Sequence, residues 1–303
     1  MLKFFNKHLY LKLLFFALLT IRNVIRSNVF QLNLKTGDRK INSSNTLKYL
    51  KFCTDKITPH FIDIKNINNA LEIGPGDNNG LALSLLYEGI ESIDLIDRYQ
   101  NNINEDDNIK IYKKISKNYG KNFNKIEYKS KIKRLKSRSG LLSLSKIENP
   151  VRYDLIYSVS VLEHLWPFEK NLKAIVNLCN EGGILISLVN FTDHGMFSPK
   201  FNRFYFRKIP KFIYDPIMSP GGRPNRILPS QIVKFLIKEN FDVSIHVMRT
   251  HTRVIETGEK FSKASVPTRE LNELYEIYGE IVDQNERICD LAIGSAVIVA
   301  KKN

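Results

Sequence analysis

Short, almost unbroken apolar runs recur along the chain, each of strand length and each closed by polar or glycine-rich residues. They are Ala70–Ile73, Ile93–Ile96, Tyr153–Val159, Ile184–Val189, Phe241–Val247 and Ala292–Ala300. Runs of this kind suit strands buried on both faces. Helical segments fall between them: about 44–55, Leu81–Tyr87, Leu172–Leu178, Ser230–Glu239 and about Thr268–Glu286. A third strand is expected at Lys125–Lys129, and Asn101–Asn108 reads as a loop. Strand and helix in alternation predict an α/β fold, a Rossmann-like, seven-stranded, mostly parallel sheet flanked by helices. We read a main domain over 36–303 behind an amino-terminal helical appendage at 1–35. The domain carries a basic insertion at 98–150 and an aromatic-rich insertion at 196–229.

The first strand runs into Leu71-Glu72-Ile73-Gly74-Pro75-Gly76-Asp77-Asn78-Asn79-Gly80, and a helix follows with Asp77, Asn78 or Asn79 available as its cap. Gly74 and Gly76 permit a sharp turn and let a ligand approach bare main chain. The helix start offers unpaired N–H groups and partial positive charge. The second strand ends in Asp97, 21 residues beyond Gly76. An acid about 20 residues past such a turn is placed to hold ribose hydroxyls. A dinucleotide and S-adenosylmethionine both fit this arrangement. The dinucleotide pattern wants a third glycine where this chain has Asn79, and Glu72 before the turn points to the other ligand.

Leu71-Glu72-Ile73-Gly74-Pro75-Gly76 resembles the first motif of class I S-adenosylmethionine-dependent methyltransferases. Two later stretches extend the likeness. Asp154-Leu155-Ile156-Tyr157-Ser158 with Val161-Leu162-Glu163-His164 is similar to the fourth-strand motif, and Glu181-Gly182-Gly183-Ile184-Leu185-Ile186 to the turn into the fifth strand. The resemblance implies that Glu72, Gly74 and Gly76 hold the methionine end of the cofactor and Asp97 its ribose. It implies that Ser158 and His164 line the same site.

The net charge of +15 is not spread evenly. Residues 1–30 hold five Lys/Arg and no acid; residues 110–138 hold twelve Lys/Arg and one Glu. The rest is close to neutral, so the basicity belongs to two attachments rather than to the body. The first surrounds a nine-residue apolar run, Leu13–Ile21. A spanning helix needs roughly 20 residues. A basic helix on a membrane surface fits, and so does a helix packed on the domain or a second subunit. In the second attachment, aromatics interleave with lysines. They suit nucleic acid, anionic lipid or a phosphorylated substrate, or simply a solvated helix whose apolar side packs inward.

Three scattered cysteines, Cys53, Cys179 and Cys289, give no disulfide framework, and neither they nor the six histidines suggest a metal site. A reducing, cytoplasmic location is expected, with the chain peripheral at the cytoplasmic face of the membrane if residues 1–30 meet lipid. Candidate catalytic residues are His194 and Asp193, just past the carboxyl end of the fifth strand. The expected activity is methyl transfer from S-adenosylmethionine to a hydroxyl of a small-molecule, glycan or lipid-linked acceptor. The alternatives are an RNA methyltransferase using 110–138 and a non-catalytic binding protein of the same fold.

Overall fold

The computed structural model describes residues 11, 13–18, 21, 43–60, 67–76, 78–97, 105–135, 151–194, 196, 205–220, 222–250, 254–260 and 290–303. The strands are β1 (Asn69–Ile73), β2 (Ser92–Ile96), β3 (Ile132–Arg134), β4 (Tyr153–Val159), β5 (Cys179–Asn190), β6 (Phe241–Thr250), β7 (Val254–Lys260) and β8 (Ile293–Lys302). They form one sheet in the order β3-β2-β1-β4-β5-β8-β6-β7. β1 to β5 pair in parallel, while β8 runs antiparallel to both β5 and β6. Six of the seven expected strands stand where the sequence places them, the third is displaced, and β7 adds an eighth at the edge, antiparallel to β6.

The helices are α1 (Ser43–Ile57), α2 (Gly80–Glu88), α3 (Glu105–Asn118), α4 (Lys125–Lys131), α5 (Phe168–Asn177), α6 (Lys211–Met218) and α7 (Pro229–Lys238). A further amino-terminal helix is described at residues 11, 13–18 and 21. Alternation along β1 sends Leu71 and Ile73 into one core, with Leu172 and Ile175 of α5 and Ile232 and Leu236 of α7. Ala70 enters the opposite core, with Leu50 of α1, Leu81 and Leu85 of α2, and Ile111 and Ile115 of α3. The sheet is therefore filled on both faces, which is why its strands read as continuous apolar runs.

Several expectations are corrected. Lys125–Lys129 lies in α4, because Asn124 accepts the N–H groups of Ile126 and Glu127 and so starts a helix. The third strand follows as the three residues of β3. Glu105–Asn108 belongs to α3, not to a loop. Asn180–Gly183, ahead of the expected strand Ile184–Val189, already belongs to β5, with Gly182 at φ +73°. The helix expected near 268–286 lies outside the described residues.

In the basic segment, Ile111, Tyr112 and Ile115 are buried, and Tyr119, Phe123 and Tyr128 pack partly against the same core. The lysines between them remain on the outer face of α3, as a solvated helix with an inward apolar side would place them.

Candidate active site

Chain order reverses between β1 and β4: β2 and β3 lie to one side, β5 to the other. At such a switch point the loops after the strands diverge and leave a crevice at their carboxyl ends. Gly74 follows β1, Asp97 follows β2, Ser158 ends β4, and His194 lies just past β5. Register confirms the alignment, since Ile73 pairs with Ile96 on one side and Ser158 on the other, and Ser158 pairs with Ser187.

The glycine turn is held from both sides. Gly74 N–H donates to the Ile96 carbonyl (2.8 Å), and Gly76 N–H donates to Asp97 Oδ2 (3.1 Å). Both glycines have left-handed backbones, φ +71° and +69°. A Cβ on Gly74 would lie 2.5 Å from Val161 Cγ2, whereas one on Gly76 would meet nothing within 4 Å. Main chain at Gly76 thus faces open space at the switch point, the kind of cradle a bound ligand fills.

Beyond the turn, Asn79 occupies the cap position of α2, but its side chain does not cap. Asn78 Oδ1 instead accepts the N–H of Gly80 (2.9 Å). The Asn79 amide is taken up elsewhere: its oxygen accepts from Arg134 (2.7 and 3.1 Å), and its nitrogen donates to the Tyr128 hydroxyl (2.5 Å). Arg134 also donates to the Gly76 carbonyl (2.9 Å). Asp77 lies outside the described residues. Arg134 is the residue sequence reasoning missed. It ends β3, beside Asp97's strand, but in sequence it is one of twelve cations in its segment. Placing β3 correctly would have singled it out. Replacing Arg134 with Met leaves the carbonyl of Gly76 and the amide of Asn79 short of a charged donor. We expect the dissociation constant for S-adenosylhomocysteine to rise about 10- to 100-fold, from roughly 1.5–3 kcal/mol for such charge-assisted bonds. Calorimetric titration of the variant checks this.

Glu72 is buried beside the turn, 5% exposed. It pairs in register with Tyr157, whose hydroxyl donates to Glu72 Oε2 at 3.0 Å. Burial pushes the Glu72 carboxyl up to about 7, against the stabilising Tyr157 bond and the nearby Arg134. A cationic ligand at this carboxylate binds the ionised form. With an acid titrating near 7, ionisation falls from about nine-tenths at pH 8 to about one-tenth at pH 6. Cofactor affinity is therefore expected to fall about tenfold over that interval, and the slope to flatten in Glu72→Gln. Titrations at the two pH values test it.

A second group gathers on the far side of the crevice. After β4 the chain makes a single tight helical turn, Leu162–His164. This turn is clamped by Asn225, whose side chain donates to the carbonyls of Leu162 (2.8 Å) and Leu165 (3.0 Å) and whose N–H donates to Glu163 O (2.6 Å). Glu163 is 2% exposed; its Oε1 accepts Asn190 N–H (3.2 Å) and lies 3.6 Å from His194 Nε2. Glu163 Oε2 has no hydrogen-bond partner among the described residues. His194 is solvent-accessible and has a left-handed backbone, φ +56°. His164 Nδ1 is bonded to the Gly222 carbonyl (2.8 Å), and its ring meets that of His194 edge-on, centroids 4.9 Å apart. Burial lowers the His164 pKa. Glu163, His164 and His194 offer ligand atoms within 4.8 Å of one another, a donor set able to hold a divalent cation.

The sequence candidates thus divide. Glu72, Gly74, Gly76 and Asp97 surround the glycine turn, and Ser158 lies at the adjoining strand end with its Oγ on Ser187 Oγ (3.0 Å). His164 groups with His194 instead. Asp193 is wholly buried, and its charge reaches toward the Tyr214 hydroxyl. In the aromatic insertion, Phe206 and Tyr214 are fully buried and hold the segment together. Phe197, Phe201 and Phe204 lie outside the described residues.

The parallel sheet thus carries a glycine turn and the Asp97 carboxylate at its switch point, where open α/β sheets bind ligands. Residues 44–212, more than half of the chain, match the family model described as "Methyltransferase domain". The chain belongs to this family and is an S-adenosylmethionine-dependent methyltransferase. No curated protein matches it. Similar solved structures include a SAM-dependent methyltransferase from Archaeoglobus fulgidus (18% identity, TM-score 0.43, covering 93% of this chain and 99% of the other). They include an O-methyltransferase family protein from Burkholderia thailandensis (9%, 0.47, 96% and 71%). A third is the N-methyltransferase NodS from Bradyrhizobium japonicum in complex with S-adenosyl-L-homocysteine (10%, 0.42, 91% and 97%).

Proposed function

We propose that the acceptor is a hydroxyl of a small-molecule or glycan-type compound, with His194 as the general base. The observation that carries this reading is the solvent-accessible imidazole of His194 set over the buried carboxylate of Glu163 at the carboxyl end of the sheet. When bound, the cofactor supplies a sulfonium methyl already activated for displacement. The protein's part is to position the acceptor and to take its proton. A hydroxyl needs that proton removed, whereas a neutral amine attacks without a base. His194 accepts the proton, and Glu163 stabilises the imidazolium that results. The 3.6 Å separation is an ion-pair distance rather than a hydrogen bond, as is usual before a substrate tightens such a site.

The same three side chains support a second reading, in which a divalent cation acidifies the hydroxyl. Glu163 Oε2, buried without a partner, favours it. The aromatic rings of the basic segment weigh against an RNA acceptor, because Tyr112 is buried and Tyr119, Phe123 and Tyr128 pack partly against the core rather than standing free to stack on bases.

The test is incubation with methyl-¹³C S-adenosylmethionine and fractionated small-molecule, glycan and lipid extracts. An oxygen-bound ¹³C methyl in the product supports the proposal; a nitrogen- or carbon-bound methyl rejects it. Activity lost to a chelator and restored by a divalent metal selects the cation reading over the base.

A further inference from the structure

The amino-terminal helix has two apolar sides. On one, Leu13 is 3% exposed and joins Phe206, Ile209, Tyr214 and Met218 in a buried cluster, with Phe16 packed against it. On the other, Leu11, Leu14, Phe15, Leu18 and Ile21 each leave 54–58% of their surface in solvent. Their spacing of three and four residues places them along one helical stripe. Phe212, on the helix α6 that Leu13 packs against, is 79% exposed. Scattered surface leucines are ordinary, but a continuous apolar stripe on one helix marks a contact surface. Packing on the domain and a free apolar face were alternatives in the sequence; in the structure they are opposite sides of one helix.

We propose that this outer stripe seats in the interfacial layer of a bilayer bearing anionic headgroups. Charge favours that occupant. Residues 1–30 carry five Lys/Arg and no acid, and Lys12 and Arg22 flank the apolar run Leu13–Ile21 in sequence. Anionic lipid attracts such a segment, whereas a second copy would bring two like-charged segments together. At ~1.5 Å per residue the span from Leu11 to Ile21 is ~15 Å, too short for a ~30 Å hydrocarbon core. Among the described residues no helix is long and apolar enough to cross a membrane. A basic, amphipathic helix of this size lies in the plane of the interface.

The seat is coupled to the acceptor side of the site. The Arg223 guanidinium lies over the Phe16 ring, 5.2 Å from its centroid. The Arg223 carbonyl accepts from Trp166 Nε1 (2.7 Å), and the neighbouring Gly222 carbonyl is bonded to His164, which meets His194. A seated helix therefore holds this side of the crevice near the headgroups. Resting on the hydroxyl reading above, the acceptor class is narrowed to a hydroxyl compound attached to lipid.

The test is co-sedimentation of the full chain with vesicles of phosphatidylcholine alone and of phosphatidylcholine with phosphatidylglycerol. The native chain is expected to pellet with the anionic vesicles. Leu14→Ser/Phe15→Ser/Leu18→Ser is expected to lower partitioning about tenfold or more, and Lys12→Gln/Arg22→Gln to weaken it on anionic vesicles only. Titration with S-adenosylhomocysteine should be unchanged in both variants, which shows that they fold. A native chain that stays in the supernatant at every composition overturns the proposal. So does a triple-serine variant that binds as well as the native chain. A dimer lost in that variant, without vesicle binding, assigns the stripe to a second copy. Should the native chain fail to bind S-adenosylhomocysteine, the methyltransferase reading fails while the vesicle result still decides the membrane seat.

Discussion

Gly76→Val is expected to fold and to lose cofactor binding by roughly 100-fold. Nothing lies within 4 Å of the position its Cβ would take, so the substitution does not disturb the core. Its cost falls on the loop. A φ of +69° is strained for a side-chain-bearing residue by about 1–3 kcal/mol, and β-branching adds to this. The valine also occupies the open space against bare main chain where the ligand approaches. Relaxing the backbone would break the Gly76 bonds to Asp97 and Arg134, which define the turn. The readout is thermal: S-adenosylhomocysteine at about 100 times its dissociation constant stabilises a native protein by about 2.7 kcal/mol, a shift of a few degrees in Tm. That shift is expected in the native chain and nearly abolished in the variant, whose unliganded Tm should fall by a few degrees at most, the cost of the loop strain. Gly74→Val is a poorer probe, because its side chain meets Val161 and would disturb the turn on the acceptor side as well.

The second large effect is expected at His194. With an acceptor in hand, His194→Ala should lower kcat about 10²- to 10⁴-fold, the usual range for losing a general base. Its affinity for S-adenosylmethionine should be unchanged, since Glu72, Gly74, Gly76 and Asp97 surround the other side of the crevice. Asp193→Asn is the contrasting variant. Asp193 is wholly buried beside the insertion, so its loss is expected in Tm rather than in kcat. A His194→Ala enzyme with native kcat would remove the base from the account. Equal losses of kcat in both variants would mean that the segment after β5 acts by its shape alone.

The cofactor side was legible in sequence because its parts are local. Gly74, Gly76 and Asp97 sit within one strand–turn–helix–strand unit, and the alternation of apolar runs and turns shows that unit directly. The remaining contacts on the turn are long-range. Arg134 reaches Gly76 across 58 residues, from a strand of three residues too short to show a pattern. Tyr128 reaches Asn79 from a helix whose sequence, rich in lysine and aromatics, reads equally as a strand. The acceptor side was legible only as separate pieces. His194 and Glu163 stood out in the sequence near strand ends, but nothing local says that Asn225 clamps the turn bearing Glu163, or that Glu163 lies beneath His194. Asp193 adjoins His194 in sequence, yet it is wholly buried whereas His194 is solvent-accessible, a difference that adjacency alone does not show.

The central claim is that the glycine turn at the switch point binds S-adenosylmethionine. Calorimetric titration of S-adenosylmethionine into the native chain tests it most directly. The account predicts one site per chain with a micromolar dissociation constant, weaker at pH 6 than at pH 8. A folded chain that takes up no S-adenosylmethionine at either pH, and none in the presence of acceptor extract, would contradict it.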